Sequence, residues 1–566
     1  MEKKNSQGVS RRAFLSGVTA LGAGLATAGM FGCAPASSEG AAATAANAVG
    51  ASDEPWYGHP ADEGSFEFAE ELKTEILVCG FGHAGITATL AAASEGAKVL
   101  AIEKNPTGSG FRMGPGAVNC AIQQKVGIDI DKASISNHVV LESQGFANQR
   151  VINLWVNESA ECFDWLIPEI EAKGVSFYAE PDVGVGTHGG HVAWPTGMTY
   201  VLPEGMRKDP TKDSIAPFME ELAVERGAEI RYETSLVQLT TDGDAITGAI
   251  AKNADGYLKI VATKGVLLAT GGYEGDPELY SKLQPAETAS VTAGIYFPQN
   301  TGEGIKAGIW VGGVKDPKGT SMLFDRGIIA PGVETGFPVQ GTMNWMGSQP
   351  FLKVDLNGKR IGNEDVPYDS MIHSSNLHKG HLWCSIWDAN YLSHIETFHT
   401  LGCSRIYPSG NPGTFCMGVE TVLGMNEMAK EAGMLFECDT LDELAEKLQI
   451  PADNLKATVE EYNALCEAGV DTQFGKDAKD LLPLTTPPYC GCRFGSSLLC
   501  TLDGLAIDED CHLLNEDGEI IKGVWAAGNA SGGFFQGVYP DLAPGIASGR
   551  SATQARHAVL NMLGLK

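Results

Sequence analysis

The chain has 566 residues and a formal net charge of −30. That length suggests two or three domains, and the charge argues against nucleic acid or an anionic membrane surface as a partner. Its 70 glycines fit a fold in which backbone approaches a ligand closely at many points.

Residues 1–32 read as an address. Ser10-Arg11-Arg12-Ala13-Phe14-Leu15 is a twin-arginine export motif. The apolar stretch from Gly17 to Gly32 is too short and too rich in Gly and Ala for a secure membrane span. Two processing routes stay open. Ala34-Pro35-Ala36 is an A-x-A cleavage site, whereas Met30-Phe31-Gly32-Cys33 resembles a lipobox. The preferred expectation is an extracytoplasmic protein anchored by lipid at Cys33. Residues 33–70, Ala- and Ser-rich at first, form a flexible tether.

Residues 71–104 form a complete βαβ dinucleotide-binding unit. Ile76–Cys79 is a short apolar strand, Gly80-Phe81-Gly82-His83-Ala84-Gly85 is a G-x-G-x-x-G turn, and Val99–Ile102 is the second strand, closed by Glu103. The first glycine permits the tight turn, the second lets backbone approach a pyrophosphate, and the third lets helix and strand pack closely. The helix N-terminus presents free N–H groups to the phosphates, and Glu103 falls where a carboxylate holds a ribose hydroxyl.

Further along, helical periodicity covers 149–172 around Trp155, Phe163 and Trp165, and a second helix covers 214–227. Glu229–Tyr232, Val237–Leu239 and Ile246–Ala251 read as strands, with turns at Asp242-Gly243-Asp244 and Asp255-Gly256. Gly265–Tyr273 and Gly523–Asn529 are buried strands ending in small residues, and 544–563 is a helix with glycine at its start. Strand followed by glycine, three times at wide spacing, predicts one site assembled from three regions. Most of the 13 cysteines are scattered singly, which does not suggest a disulfide framework. Cys490, Cys492 and Cys500 form the tightest group, but their spacing matches no standard cluster pattern. His188 and His191 sit in a Gly-rich loop without a visible third ligand, and no metal is expected. No Cys-x-x-Cys-His occurs, so no c-type haem is attached.

Taken as a set, Gly80–Gly85 with Glu103, LLATGGY at 267–273, NTGEG at 300–304, NGKRIGNED at 357–365, VWAAGNASGG at 524–533 and PGIASGRSATQAR at 544–556 resemble the flavoprotein family of soluble fumarate reductases, urocanate reductases and 3-ketosteroid dehydrogenases. The resemblance spans roughly residues 71–566. It implies an α/β fold with a Rossmann-like FAD-binding domain built from both ends of the chain, at 71–345 and 494–566, and an inserted α+β capping domain at 346–493. It also implies bound FAD. Gly80, Gly82, Ala84 and Gly85 would face the pyrophosphate, and Glu103 with Lys104 the adenosine ribose. Val237 would touch adenine, and Ala269, Thr270 and Gly271 would line the phosphates. Glu303 stands where the family usually has Asp. Gly110, Gly116 and Ala117 would lie near the flavin ring, with Gly528, Asn529, Gly545 and Ile546 completing that end. The helix starting at Gly545–Ile546 would stabilise negative charge on reduced flavin.

The resemblance also implies hydride chemistry at carbon. Fumarate reductases of the family grip two carboxylates with arginines and histidines. Where they have His-Thr-x-Gly-Gly, this chain has Cys500-Thr501-Leu502-Asp503-Gly504; where they have Gly-x-Asn-Arg, it has Gly537-Val538-Tyr539-Pro540. The segment matching their proton-donating arginine, Ile386–Leu392, holds Tyr391 and no arginine. Tyr539-Pro540 resembles the ketosteroid dehydrogenases, in which such a tyrosine and a backbone N–H, here Gly545, hold a substrate carbonyl as an oxyanion hole. Tyr391 is the expected proton donor, and Glu364, Asp365 and Tyr368 are further relay candidates. The expected activity is reduction of a C=C bond conjugated to a carbonyl, in a small enone, aryl acrylate or steroid-like substrate. Electrons would come from a separate membrane-linked cytochrome or flavoprotein, as an anaerobic electron sink. A ketosteroid-type dehydrogenase and a flavin-binding electron-transfer lipoprotein without organic substrate are the alternatives.

Overall fold

The computed structural model describes residues 55–108, 110, 114–180, 187–204, 214–337, 341–398, 400, 402–407 and 417–566. The twin-arginine motif, Cys33, and Ser109, Phe111, Arg112 and Met113 lie outside the described residues. In chain order, the elements that build the site begin with β1 (Phe68–Cys79), α1 (His83–Ser94), β2 (Val99–Ile102), α2 (Gln149–Glu171), β3 (Glu229–Arg231) and β4 (Gly256–Leu268). They continue with α3 (Glu303–Trp310), β5 (Ser321–Ile329), α4 (Tyr368–Ser375), β6 (Trp383–Trp387), β7 (Tyr489–Thr501), β8 (Ile520–Ala526) and α5 (Ile546–Met562).

The first sheet carries the parallel order β8-β4-β1-β2-β3. Its strand ends are almost wholly apolar and fully buried, as expected of parallel strands covered on both faces. The antiparallel strands Ser235–Asp242 and Ala245–Asn253 extend β4 as the meander read from the sequence. One element differs from that reading. The strand expected to start at Gly265 is the second half of β4, which runs unbroken from Gly256. A register shift opposite Thr74–Ile76 bends the pair there, and Gly265 has φ 156°. A Cβ at that position would strike the Trp525 ring.

The second sheet is organised by β7, which pairs antiparallel with β5, β6 and Leu435–Cys438, and parallel with Val291–Gly294. Its strands thus come from residues on both sides of 346 and 493. Beneath β6 lies a separate core in which Leu352, Ile386, Leu448 and Leu455 are fully buried under the helices Leu441–Leu448 and Ala452–Ala468. Among the described residues, no helix is long and apolar enough to cross a membrane.

The extended form of β7 also decides the cysteine question. Cys490 and Cys500 are ten positions apart on one strand, which at about 3.3 Å per residue separates them by roughly 33 Å. The three thiols of this group cannot share one cluster.

The last helix closes the first sheet over α2. Trp155 Nε1–H of α2 donates to the Gly116 carbonyl at 3.0 Å, and a Cβ at Gly549 of α5 would overlap that same carbonyl oxygen. Gly549→Ala should therefore lower the unfolding free energy by about 1–3 kcal/mol, read as an earlier urea midpoint with unchanged slope.

Candidate active site

Three helix N-termini meet at the carboxyl ends of the parallel strands, where ligands of open α/β sheets bind. None carries a side-chain cap. Gly82 precedes α1, Gly302 (φ 81°) precedes α3 and Gly545 (φ 77°) precedes α5. The dipole at each of these helix starts favours an anionic ligand. The first turn is tight: Gly80 has φ 98°, and a Cβ there would lie 2.5 Å from the Ala269 carbonyl oxygen. A Cβ on Gly85 would overlap the Gly80 carbonyl, so α1 can approach β1 only through glycine. Ala84 meets Gly528 (φ 66°) closely enough that a Cβ on the glycine would lie 3.0 Å from it.

Glu103 is buried at the end of β2. Its Oε2 accepts the Phe81 N–H at 2.8 Å, and its Oε1 accepts the Asn105 N–H at 2.9 Å and Asn105 Nδ2 at 2.7 Å. The carboxylate thus ties the glycine turn to the second strand. Lys104 pairs with Glu303 in the first turn of α3, and Thr301 Oγ1 donates to the same carboxylate at 2.6 Å. Ala269, Thr270 and Gly271 leave the end of β4 toward α3. Gly271 has φ 80°, and a Cβ there would sit 2.9 Å from the Asn300 amide. Among the described residues, the Thr270 hydroxyl is buried without a partner.

At the other end, Gly116 N–H donates to the Gly545 carbonyl at 2.8 Å, and Ala117 is fully buried beside it. Gly110 has φ 82° and faces Ser214. Val237 is half-buried on Ser235–Asp242, next to Gln238, whose amide accepts the Ala61 N–H at 3.0 Å. Asn529 Oδ1 accepts Arg550 Nη2–H at 3.2 Å, and Arg550 Nη1 donates to the Gly528 carbonyl at 2.7 Å. Arg550 is fully buried, and burial pulls it down to about 10.

These features fit FAD. A buried hydroxyl without a partner, glycines where side chains would collide, and helix N-termini without side-chain caps come together at the carboxyl ends of the parallel strands. Gly82, Glu103, Thr270, Gly528 and the α5 N-terminus would hold the group.

Beside the α5 N-terminus lies an aromatic cluster. Tyr539 stacks on Tyr368 at 6.2 Å and 14°, and Phe535 and Phe324 flank the pair. Burial pushes the Tyr539 phenol far up, helped by Cys403 and Asp541 and opposed by the Ala547 N–H, so the hydroxyl stays protonated. Arg326, 1% exposed, lies over Phe324 at 4.6 Å and Trp345 at 4.8 Å. It donates to Ser348 at 2.7 Å and Ser404 at 2.8 Å. Among the described residues, no carboxylate lies within ion-pair distance of it. Sequence reading passed over Arg326. The available signal was an Asp325-Arg326 pair inside an otherwise apolar strand buried along its whole length.

Other expected residues sit elsewhere. Tyr391 is half-buried at the start of the helix Tyr391–Thr397, where Cys490, Lys430, Glu437 and Glu427 act on it, a different set from that around Tyr539. Glu364 is buried in an ion-pair group with Arg360 and Lys476, and Arg360 also binds Asp471 at 2.7 Å. That group is structural. His188 faces Asp365 at 3.2 Å, while His191 faces Glu142 at 2.9 Å, so the two histidines have separate partners. Thr501 binds the Tyr273 N–H and Glu274, while Asp503 takes the Tyr273 hydroxyl at 2.8 Å and pairs with Lys315. The Thr501–Asp503 stretch thus anchors the glycine turn after β4.

Fold and site together define a flavoprotein oxidoreductase. Residues 75–544 match the FAD binding domain family, and the chain belongs to it. Its cofactor is FAD. It is 27% identical to a vinyl phenol reductase of Lactiplantibacillus plantarum over 503 residues, covering 85% of this chain and 97% of that one. It is 25% identical to a digoxin reductase of Eggerthella lenta, covering 96% of each. Among solved structures, it resembles 3-ketosteroid delta1-dehydrogenase from Sterolibacterium denitrificans with TM-score 0.68 at 18% identity, over 87% of this chain and 100% of that one.

Gly82→Val and Glu103→Ala should each lower flavin content. The first fills the pyrophosphate approach, and the second frees the turn from β2. The ratio of flavin to protein absorbance in the purified variants checks both.

Proposed function

We propose that the chain reduces a C=C bond conjugated to a carbonyl in a small planar substrate, a ketone, monocarboxylate or ester. The observation that carries this reading is the buried, stacked Tyr368–Tyr539 pair beside the α5 N-terminus. Aromatic faces receive a flat conjugated system. A protonated phenol beside a helix N-terminus receives the oxygen on which charge builds during reduction. Bound FAD supplies the hydride. The chain's own residues must hold the carbonyl, exclude water and deliver a proton. The vinyl phenol reductase, an NADH:acrylate oxidoreductase of Vibrio harveyi and the 3-oxosteroid 1-dehydrogenases of Mycobacterium tuberculosis all bear names that support double-bond chemistry. The steroid names keep the reverse reaction, a ketosteroid-type dehydrogenase, as the second reading.

Among the described residues, two buried guanidiniums lie on rings of the cluster, Arg326 over Phe324 and Arg550 over Phe535 at 5.0 Å. Arg550 is committed to the Gly528 carbonyl and Asn529, so Arg326 is the one placed to pair a substrate charge. Leaving the second charge of a dicarboxylate unpaired in a dry site costs about 3–5 kcal/mol, some hundreds- to thousands-fold at roughly 1.4 kcal/mol per tenfold. The purified protein, reduced with viologen under anaerobic conditions and given a panel of unsaturated carbonyl compounds, should be reoxidised by a conjugated ketone, monocarboxylate or ester and negligibly by fumarate. Tyr539→Phe should keep FAD and lose about 10²–10³ in rate, the usual loss for one oxyanion donor. Efficient fumarate turnover, or unaltered kinetics in that variant, would overturn the assignment. Bleaching of the oxidised flavin by saturated ketones would favour the dehydrogenase direction.

The twin-arginine motif and the Cys33 lipobox support an exported, lipid-anchored protein that takes electrons from a separate membrane-linked donor. Lys-Lys in place of Arg11-Arg12 should hold the protein inside the cell, because arginine's planar fork is not replaced by a point charge. Cys33→Ala should release it from the membrane fraction. Cell fractionation with immunoblotting reads both.

A further inference from the structure

Two buried carboxyls stand at the aromatic cluster. Asp541 is 9% exposed and Asp369 3%. Asp541 Oδ2 accepts the Tyr368 N–H at 3.1 Å, and Asp369 Oδ2 accepts the Tyr539 N–H at 3.4 Å. The two segments thus clamp each other crosswise, each tyrosine held by the other segment's carboxyl. Among the described residues, Asp541 Oδ1 is buried with no hydrogen-bond partner. An ionised carboxylate with an empty oxygen is costly in a dry site, whereas the acid form carries a proton to give.

A route to solvent starts at Asp369. His373 lies one turn further along α4, with Nδ1 3.5 Å from Asp369 Oδ2. Its Nε2 is 3.2 Å from Glu287 Oε1, and the His373 side chain is 38% exposed. The charged groups acting on His373 are Glu287, Asp369 and Lys318. Those acting on Asp369 are His373, Glu287 and Glu142; those on Asp541 are Asp369, Asp325 and Glu142. Burial pushes Asp369 up to about 7 and Asp541 well above the ordinary carboxylate range. Burial opposes the charge on His373, but the Glu287 hydrogen bond and the two acidic neighbours raise it to about 9.

We propose that Asp541 is the acid that protonates the substrate carbon, and that Asp369, His373 and Glu287 form the relay that restores its proton from solvent. This rests on the double-bond reductase reading. The Asp541 O–H bond breaks, and a C–H bond forms at the carbon next to the carbonyl. The two electrons of the reduction arrive with the hydride from reduced FAD. The Asp541 carboxylate then takes a proton from Asp369, Asp369 takes one from His373, and water recharges the imidazole while Glu287 holds it cationic.

Asp541→Asn separates this role from a clamp. Its amide oxygen still accepts the Tyr368 N–H, but the side chain has no acidic proton. Wild type and variant are reduced with viologen and mixed with a conjugated substrate, and flavin reoxidation is followed by stopped flow. The variant should keep wild-type flavin content and reoxidise about 10²–10⁴-fold more slowly. Steady-state turnover of the wild type with excess reduced viologen, which needs the relay, should fall as pH rises through about 9, and His373→Gln should lose that limb. Difference infrared spectra should contain a protonated-carboxyl band that Asp541→Asn removes. A wild-type reoxidation rate in Asp541→Asn, or no such band, would overturn the proposal. If wild type is reoxidised by no unsaturated carbonyl compound, the functional reading fails instead, and the infrared band alone decides whether Asp541 carries the proton.

Discussion

Two backbone segments from opposite ends of the chain meet with no side chain between them, and the site depends on that contact. The Gly116 N–H reaches the Gly545 carbonyl at 2.8 Å, and a Cβ on either glycine would come within 2.5 Å of the other segment. Trp155 fastens the Gly116 carbonyl from α2, and Gly549 lets α5 lie directly on it. This crossing sets the N-terminus of α5 beside the strand ends of the first sheet. Tyr539, Asp541 and Pro544 lie on the segment that leads into it. Glycine is required here because two main chains must touch, which is a stronger demand than a positive φ alone.

The charges of the molecule fall into two kinds. In the buried group around Glu364 each charge meets an opposite one, Glu364 taking Arg360 and Lys476 and Asp471 taking Arg360, as buried charges must for a stable interior. In the aromatic cluster the pairing is left incomplete. Arg326 rests on ring faces and hydroxyls, and Asp541 keeps an empty oxygen among the described residues. Low-dielectric surroundings make such groups expensive to charge and able to act on a substrate that completes the pairing. That contrast separates residues that hold the second sheet together from residues available for chemistry, although both kinds are equally buried.

Much of the fold was legible in local pattern. The βαβ unit, the meander, the strand Ile520–Ala526 and the final helix follow from apolar runs and turn residues and are found within a few positions of their expected places, whereas the strand expected from Gly265 runs unbroken from Gly256. The turn on which the cofactor reading rests was legible for the same reason. A glycine turn, a strand and an acidic strand end form one contiguous stretch, so spacing alone carries the geometry.

Tyr539 and Tyr368 were named from the sequence, but the groups that meet them were not legible, because Phe324–Arg326, Trp345, Asp369 and Asp541 lie on segments joined only by tertiary packing. Tyr391 shows the limit: its place in the sequence suggested a proton donor, yet the groups that act on it are Cys490, Lys430, Glu437 and Glu427, none of them shared with the Tyr368–Tyr539 cluster. Likewise the NED segment suggested a relay, while its Glu364 pairs with Arg360, and the carboxyl that meets both the Tyr539 N–H and His373 is Asp369, a few residues on. Sequence by itself determined where backbone must approach a dinucleotide, since that needs only glycines and one acid in local register. Only the tertiary structure decided which polar groups meet at the reacting end, since burial and unpaired hydrogen-bonding capacity belong to the packed molecule and to no stretch of the chain.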